Sequence, residues 1–189
     1  MDKKFIKNNS GFTLLEMMIA VSLFTVVMTI STNMFLQAID SQARAISSKG
    51  IQESLNFSLI IMTNEMSGAT VDPRSCDPEN CLDSNEYFCV AENGGSLIFK
   101  NSNGDCVSYT RVMNANTGAN ILTISRGGVS GNLTPNNIDI SDLNFSSFYT
   151  TDLTYPIARA TIYLKGQSLS RENYPDTVSL QTTVAVGQQ

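Results

Sequence analysis

Gly11-Phe12-Thr13-Leu14-Leu15-Glu16, followed by the uncharged run Met17–Ile39, decides how the rest of the chain is read. Upstream lies a polar leader, Met1–Ser10, with Lys3, Lys4 and Lys7. A bilayer core takes about 20 apolar residues at 1.5 Å each, so Phe12–Leu36 is long enough to cross it. The run holds no Gly or Pro. The hydroxyls of Thr25, Thr29, Ser31 and Thr32 can return to the helix backbone, which leaves no free polar group. Glu16 is the single carboxylate near the head of this apolar element. A charge at the bilayer centre costs of order 2–3 kcal/mol, and less near an interface. The acid therefore needs a role, the plain alternative being a carboxylate that snorkels to the boundary.

The order of features is not that of a cleaved secretory signal. Such a signal has a basic start, an apolar centre and then a small residue at the cut. Here the small residue, Gly11, precedes the apolar run. Cleavage after it would leave the helix on the mature chain, and the leader lysines would hold the leader on the cytoplasmic face. An uncleaved signal anchor is the alternative.

The stretch Gly11-Phe12-Thr13-Leu14-Leu15-Glu16, with its basic leader and uncharged helix, resembles the type IV prepilin signal found in type IV pilins and type II secretion pseudopilins. The resemblance implies cleavage after Gly11 by a prepilin peptidase, N-methylation of Phe12, and pairing of Glu16 with the new terminus of a neighbouring subunit. It implies further partners too: other pilin or pseudopilin subunits, an inner-membrane assembly platform and membrane lipid. The expected location is the cytoplasmic membrane, single-pass with the head exported, and then a pilus or pseudopilus. Many major pilins carry a helix-breaking Pro where this chain has Asn33, so the resemblance leans to a minor pilin or pseudopilin. Asp142-Leu143-Asn144-Phe145, Arg159–Leu164 and Ser179-Leu180-Gln181-Thr182-Thr183-Val184 resemble the closing strands of W-type minor pilins and J-type pseudopilins. Those relatives often end in an arginine-containing tail, whereas this chain ends Gly187-Gln188-Gln189.

Beyond the apolar run the pattern turns amphipathic. Ile39, Ala43, Ile46, Ile51, Leu55, Leu59, Met62 and Met66 recur at steps of three, four and one five. Asp40 with Arg44, and Lys49 with Glu53, suit a solvated face. One helix is expected from about Phe12 to Ser67, roughly 85 Å long, with Gly50 as its weak point. The stripe needs a partner, either the remaining chain or a second helix in a coiled coil.

From Ala69 the chain reads as β. Strands are expected at Tyr87–Ala91, Leu97–Lys100, Cys106–Met113, Ile121–Ser125, Leu143–Tyr149, Ile157–Leu164 and Val178–Val186, separated by Asn- and Gly-rich turns. The last alternates cleanly, with Val178, Leu180, Thr182, Val184 and Val186 on one face. The expected fold class is α+β: a long N-terminal helix, transmembrane in its apolar half and amphipathic in its second, packed on an antiparallel β-sheet head, as in pilins. The expected organisation is a leader (1–11), a membrane or filament-core helix (12–39), an amphipathic helix (40–68) and a disulfide-containing head (69–189).

Four cysteines, Cys76, Cys81, Cys89 and Cys106, all follow the apolar segment. Their spacing lacks the close pairs of a zinc site, and the chain has no His. On an exported head they read as two disulfides. Four cysteines allow three pairings. Cys76–Cys81 with Cys89–Cys106 closes the most local loops, worth about 2 and about 3 kcal/mol in chain entropy.

Composition narrows the function. The formal net charge is −5, and the part after Gly11 carries nine basic against sixteen acidic residues, or −7. That argues against nucleic acid as the default partner. A local patch of Arg111, Arg126, Arg159 and Lys165 would be the route to a DNA-uptake receptor, and a tip adhesin is the related binding alternative. Without His, and without a Ser-x-x-Lys motif, no nucleophile has an evident activator. No enzymatic activity or cofactor is expected. Asp139, Asp142 and Asp152 do not form a D-x-D-x-D-G loop and read as solvated loop charges rather than a calcium site, so no metal is expected.

Overall fold

The computed structural model describes residues 11–77, 81, 86–150, 157–169 and 176–187. The leader lysines, Pro78, Asp152 and the closing Gln188–Gln189 lie outside the described residues. The chain divides into two compact units, Met1–Arg44 and Ala45–Gln189.

One helix, α1 (Leu14–Ser67), contributes to both units and runs through Gly50 without interruption. In the first unit its apolar side chains, from Leu14 to Ile39, are exposed all round. Its hydroxyls turn back on the helix as their spacing predicts. Thr25, Thr29, Ser31 and Thr32 each donate to a carbonyl four residues earlier at 2.8 Å. A polar side chain thus adds no unmet donor to an apolar surface.

In the second unit, the remainder of α1 is the spine of the head. At 100° per residue, Ile51, Leu55, Leu59, Met62 and Met66 fall within an arc of about 80°, and all five are buried. Ser58 lies about 20° outside that arc and is also buried. Its hydroxyl is accommodated by the carbonyls of Ser54 at 2.9 Å and Leu133 at 3.3 Å. The buried stripe begins at Ile51, later than the sequence pattern implies: Ile39 is exposed and Ile46 is 73% exposed. The five-residue step from Ile46 to Ile51 rotates the face by about 140°, so Ile46 points away from the stripe.

Two antiparallel sheets complete the head. The first is a meander of β1 (Phe88–Val90), β2 (Ser96–Lys100), β3 (Cys106–Met113), β4 (Asn120–Arg126) and β5 (Val129–Asn132), in that order. The second is β6 (Ile138–Tyr149), β7 (Ile157–Ser168) and β8 (Thr177–Gly187). Two glycines permit the close approaches. Gly166 on β7 lets α1 in: a Cβ there would lie 3.2 Å from Leu55 Cδ2 and 3.3 Å from Ile138 Cγ2. Gly94, at φ 69°, brings the β1–β2 turn onto β6, where its carbonyl accepts the Phe145 N–H at 2.8 Å. A Cβ on Gly94 would sit 2.6 Å from Asn144 Nδ2. Leu55, Met62, Phe99, Tyr109, Phe145 and Ile162 meet in one core that draws on α1 and both sheets.

The disulfides correct the expected pairing. They are Cys76–Cys106 and Cys81–Cys89, not Cys76–Cys81 and Cys89–Cys106. Cys89 on β1 pairs with Ile98 on β2, which pairs with Ser108 on β3. Two strand spacings and a two-residue offset therefore separate Cys89 from Cys106 by about 12 Å, beyond the roughly 7 Å that a disulfide spans. Instead, a 3₁₀ turn at Pro73–Ser75, entered through Asp72 in a left-handed conformation, carries Cys76 to the start of β3. Cys81 and Cys89, both buried, close the shorter loop. Loops of 30 and 8 residues correspond to about 3.5 and about 2.5 kcal/mol in the chain-entropy picture.

Candidate processing and assembly site

Gly11, Phe12 and Thr13 precede α1 as irregular, exposed backbone. No atom beyond its neighbours lies within 4 Å of where a Cβ on Gly11 would point. The Gly11–Phe12 peptide is thus uncovered within the described residues. Thr13 is the helix N-cap. Its Oγ1 accepts the Glu16 N–H at 3.3 Å, and its carbonyl accepts the first helical bond from Met17 N–H at 3.2 Å. Satisfying an orphan donor in the first turn is what lets the helix start sharply at Leu14. Thr13 had a sequence signal that composition and hydropathy overlook: Thr13-Leu14-Leu15-Glu16 has the T-x-x-E spacing of a capping box. Glu16 stands in the first turn of α1, exposed, at the end where the helix dipole favours an anion. Downstream, α1 is long and apolar enough to cross a membrane, and its most apolar window is wholly unburied.

Residues 6–32 match the family model of the prokaryotic N-terminal methylation motif. This chain carries that motif. It is consistent with type IV pilin-like proteins, and the long apolar N-terminal helix with antiparallel sheets is the pilin-like α+β architecture. No curated protein and no solved structure matches the chain.

The other candidate residues are dispersed. Arg126 is engaged by Glu65 of α1: Nε donates to Oε1 at 2.7 Å and Nη2 to Oε2 at 2.8 Å. The buried Tyr109 hydroxyl donates to the same Oε2 at 2.8 Å. Burial pushes the Glu65 carboxyl upward, but the hydrogen bonds from Arg126 and Tyr109 and the Arg126 charge outweigh it, holding it below its ordinary value. Burial, and then the Glu65 hydrogen bond, push Tyr109 upward. Arg126 therefore pins the end of α1 to β3 and β4 instead of presenting a free cation. Arg111 donates Nη1 to the Ser141 carbonyl at 2.9 Å. Arg159 and Lys165 lie six residues apart on β7, about 20 Å at strand rise. The four cations, spread over two sheets, do not form one cluster.

The acids also differ from the expected loop charges. Asp139 and Asp142 are on β6. Asp139 accepts from the Asn120 backbone at 2.7 Å and from Gln167 Nε2 at 2.8 Å, joining β4, β6 and β7. Among the described residues, no three His, Cys, Asp or Glu side chains converge as metal ligands would.

Proposed function

We propose that this chain is a prepilin-type structural subunit, without enzymatic activity. A prepilin peptidase cuts after Gly11 and Phe12 is N-methylated. The observation that carries this reading is the methylation motif at residues 6–32, set on a helix whose apolar surface is unburied. Residues 12–39 store the subunit in the cytoplasmic membrane, with the disulfide-stapled head exported. From there it enters a type IV pilus or a type II secretion or competence pseudopilus, as a minor, priming component. Its partners are the peptidase, other pilin-like subunits and the assembly platform.

Glu16 has a physical role in this scheme. Cleavage creates an amine at Phe12, about one helical turn from Glu16. Apolar helices in lipid have no hydrophobic incentive to associate, so one complementary charge pair can set register. A one-turn axial stagger brings the amine of one subunit level with Glu16 of the next.

Mass spectrometry of the chain co-expressed with a prepilin peptidase should find N-methylated Phe12 at the terminus, at low abundance in sheared filaments. An intact Met1 would overturn the reading. Glu16→Ala should be cleaved normally but incorporate poorly, and normal incorporation would remove Glu16 from the assembly step.

A further inference from the structure

We infer that the outer edge of β8 takes a second copy of this chain by strand addition, with the two β8 strands antiparallel. In the order β6-β7-β8, β8 pairs with β7 alone among the described residues. A sheet edge presents unpaired N–H and C=O groups and templates further pairing. Edges that stay free are kept short, charged, bulged or broken by Pro. β8 has none of these protections. It runs for eleven residues, Thr177-Val178-Ser179-Leu180-Gln181-Thr182-Thr183-Val184-Ala185-Val186-Gly187, without a charge or a Pro. It pairs with β7 in unbroken register, whereas the β6–β7 ladder shifts between Ile140 and Asp142. The opposite edge of the sheet is engaged, through Phe145 to Gly94 and Arg111 to Ser141.

The inward face points the same way. Ala160, Ile162 and Leu164 of β7 are completely buried, but Val178, Leu180 and Thr182 of β8 are only partly so. Toward the Val178 end, apolar surface thus continues past the cover that the head supplies, while Val184 and Val186 are buried.

The strand that best meets these demands is β8 itself. A partner must alternate apolar with small uncharged residues and bring no charge to an uncharged edge. When β8 faces β8 antiparallel, any register whose opposed residue numbers sum to an even value sets inward against inward, such as Val178 opposite Val186. Ser179, Gln181, Thr183 and Ala185 then face one another outside. No like charges are opposed, so the pair carries none of the repulsion that separates charged edges. The outer face already holds one such cross-strand pair, Thr161 with Thr183 at 3.0 Å.

The test uses the full chain in membrane vesicles, with a photoreactive side chain installed at Gln181 or Thr183, and at Ser146 on β6 as control. Cross-linked homodimer is expected from the two β8 positions and not from Ser146. Adding a Lys to each strand with Gln181→Lys, and separately Ala185→Lys, with the photoreactive group at Thr183, should lower the yield several-fold in at least one of the two, since the registers that bring their like charges together across the edge differ. Retention of Cys76–Cys106 and Cys81–Cys89 would show that these variants remain folded. Three outcomes would overturn the proposal: no homodimer at either β8 position, a cross-link to a different protein in its place, or a homodimer yield indifferent to both lysines.

Discussion

The two parts of α1 share one backbone but obey different solvents. Before Ala45 its large apolar side chains are exposed on every side; from Ile51 to Met66 one apolar stripe is buried, and only Phe57 and Ile60 among the large apolar side chains there are exposed. A helix that is hydrophobic all round belongs in lipid or in a core, whereas one with a single stripe belongs against a protein surface. The polar groups follow the same division. In the first part, serine and threonine hydroxyls bond back to their own helix. In the second, Ser58 and Glu65 reach across to Leu133, Tyr109 and Arg126. Each part keeps its polar atoms satisfied with the means its surroundings offer.

The largest effect expected from this contrast comes from equal truncations in the two parts. Leu55→Ala removes a completely buried side chain wedged against Gly166, and should destabilise the head by about 2–5 kcal/mol. Leu23→Ala, on the exposed part, should change head stability by less than about 0.5 kcal/mol. Denaturant unfolding of the full chain in micelles, followed by tyrosine emission because there is no Trp, measures both. Similar losses would mean that the first part is not independent of the head.

A smaller effect is expected where α1 meets β3 and β4. Glu65→Gln weakens a charge-assisted contact and should cost about 1–2 kcal/mol at neutral pH. Much of that belongs to the Tyr109 hydrogen bond, since Arg126 is half exposed and its share is screened by solvent. The pH dependence has a definite sign. The Glu65 carboxyl lies below its ordinary value in the folded head, so the unfolded chain binds more protons between the two values and stability rises with pH there. The contribution is complete above the ordinary carboxylate range and disappears as pH falls through the folded value. In Glu65→Gln that acid-side slope should shrink; an unchanged slope would rule out Glu65 as its source.

The smallest effect tests the solvated face. Lys49 and Glu53 form an i,i+4 pair at 3.5 Å with both side chains largely exposed. Lys49→Ala should change stability by about 0.3 kcal/mol, and the change should vanish in high salt.

Features carried by short-range pattern were legible in the chain. The motif at Gly11–Glu16, the extent of α1 and seven of the strands are visible as local periodicity and turn chemistry. β5 was not: all four residues of Val129–Asn132 are exposed, so no burial alternation marks it. The division of the strands into two sheets likewise left no local trace.

The sequence by itself determined which residues prefer lipid, which face of α1 must be covered and which segments extend as strands. These follow from hydrophobic period and backbone preference within a few residues. Only the tertiary structure decided which partners meet. Cys106 reaches Cys76 because a 3₁₀ turn brings Cys76 to the start of β3, while strand β2 holds Cys89 too far away. Arg126, one of several surface cations by sequence, becomes a structural pin because α1 brings Glu65 to it. Such pairings depend on through-space distances of a few ångströms between residues far apart in the chain, and local pattern does not encode them.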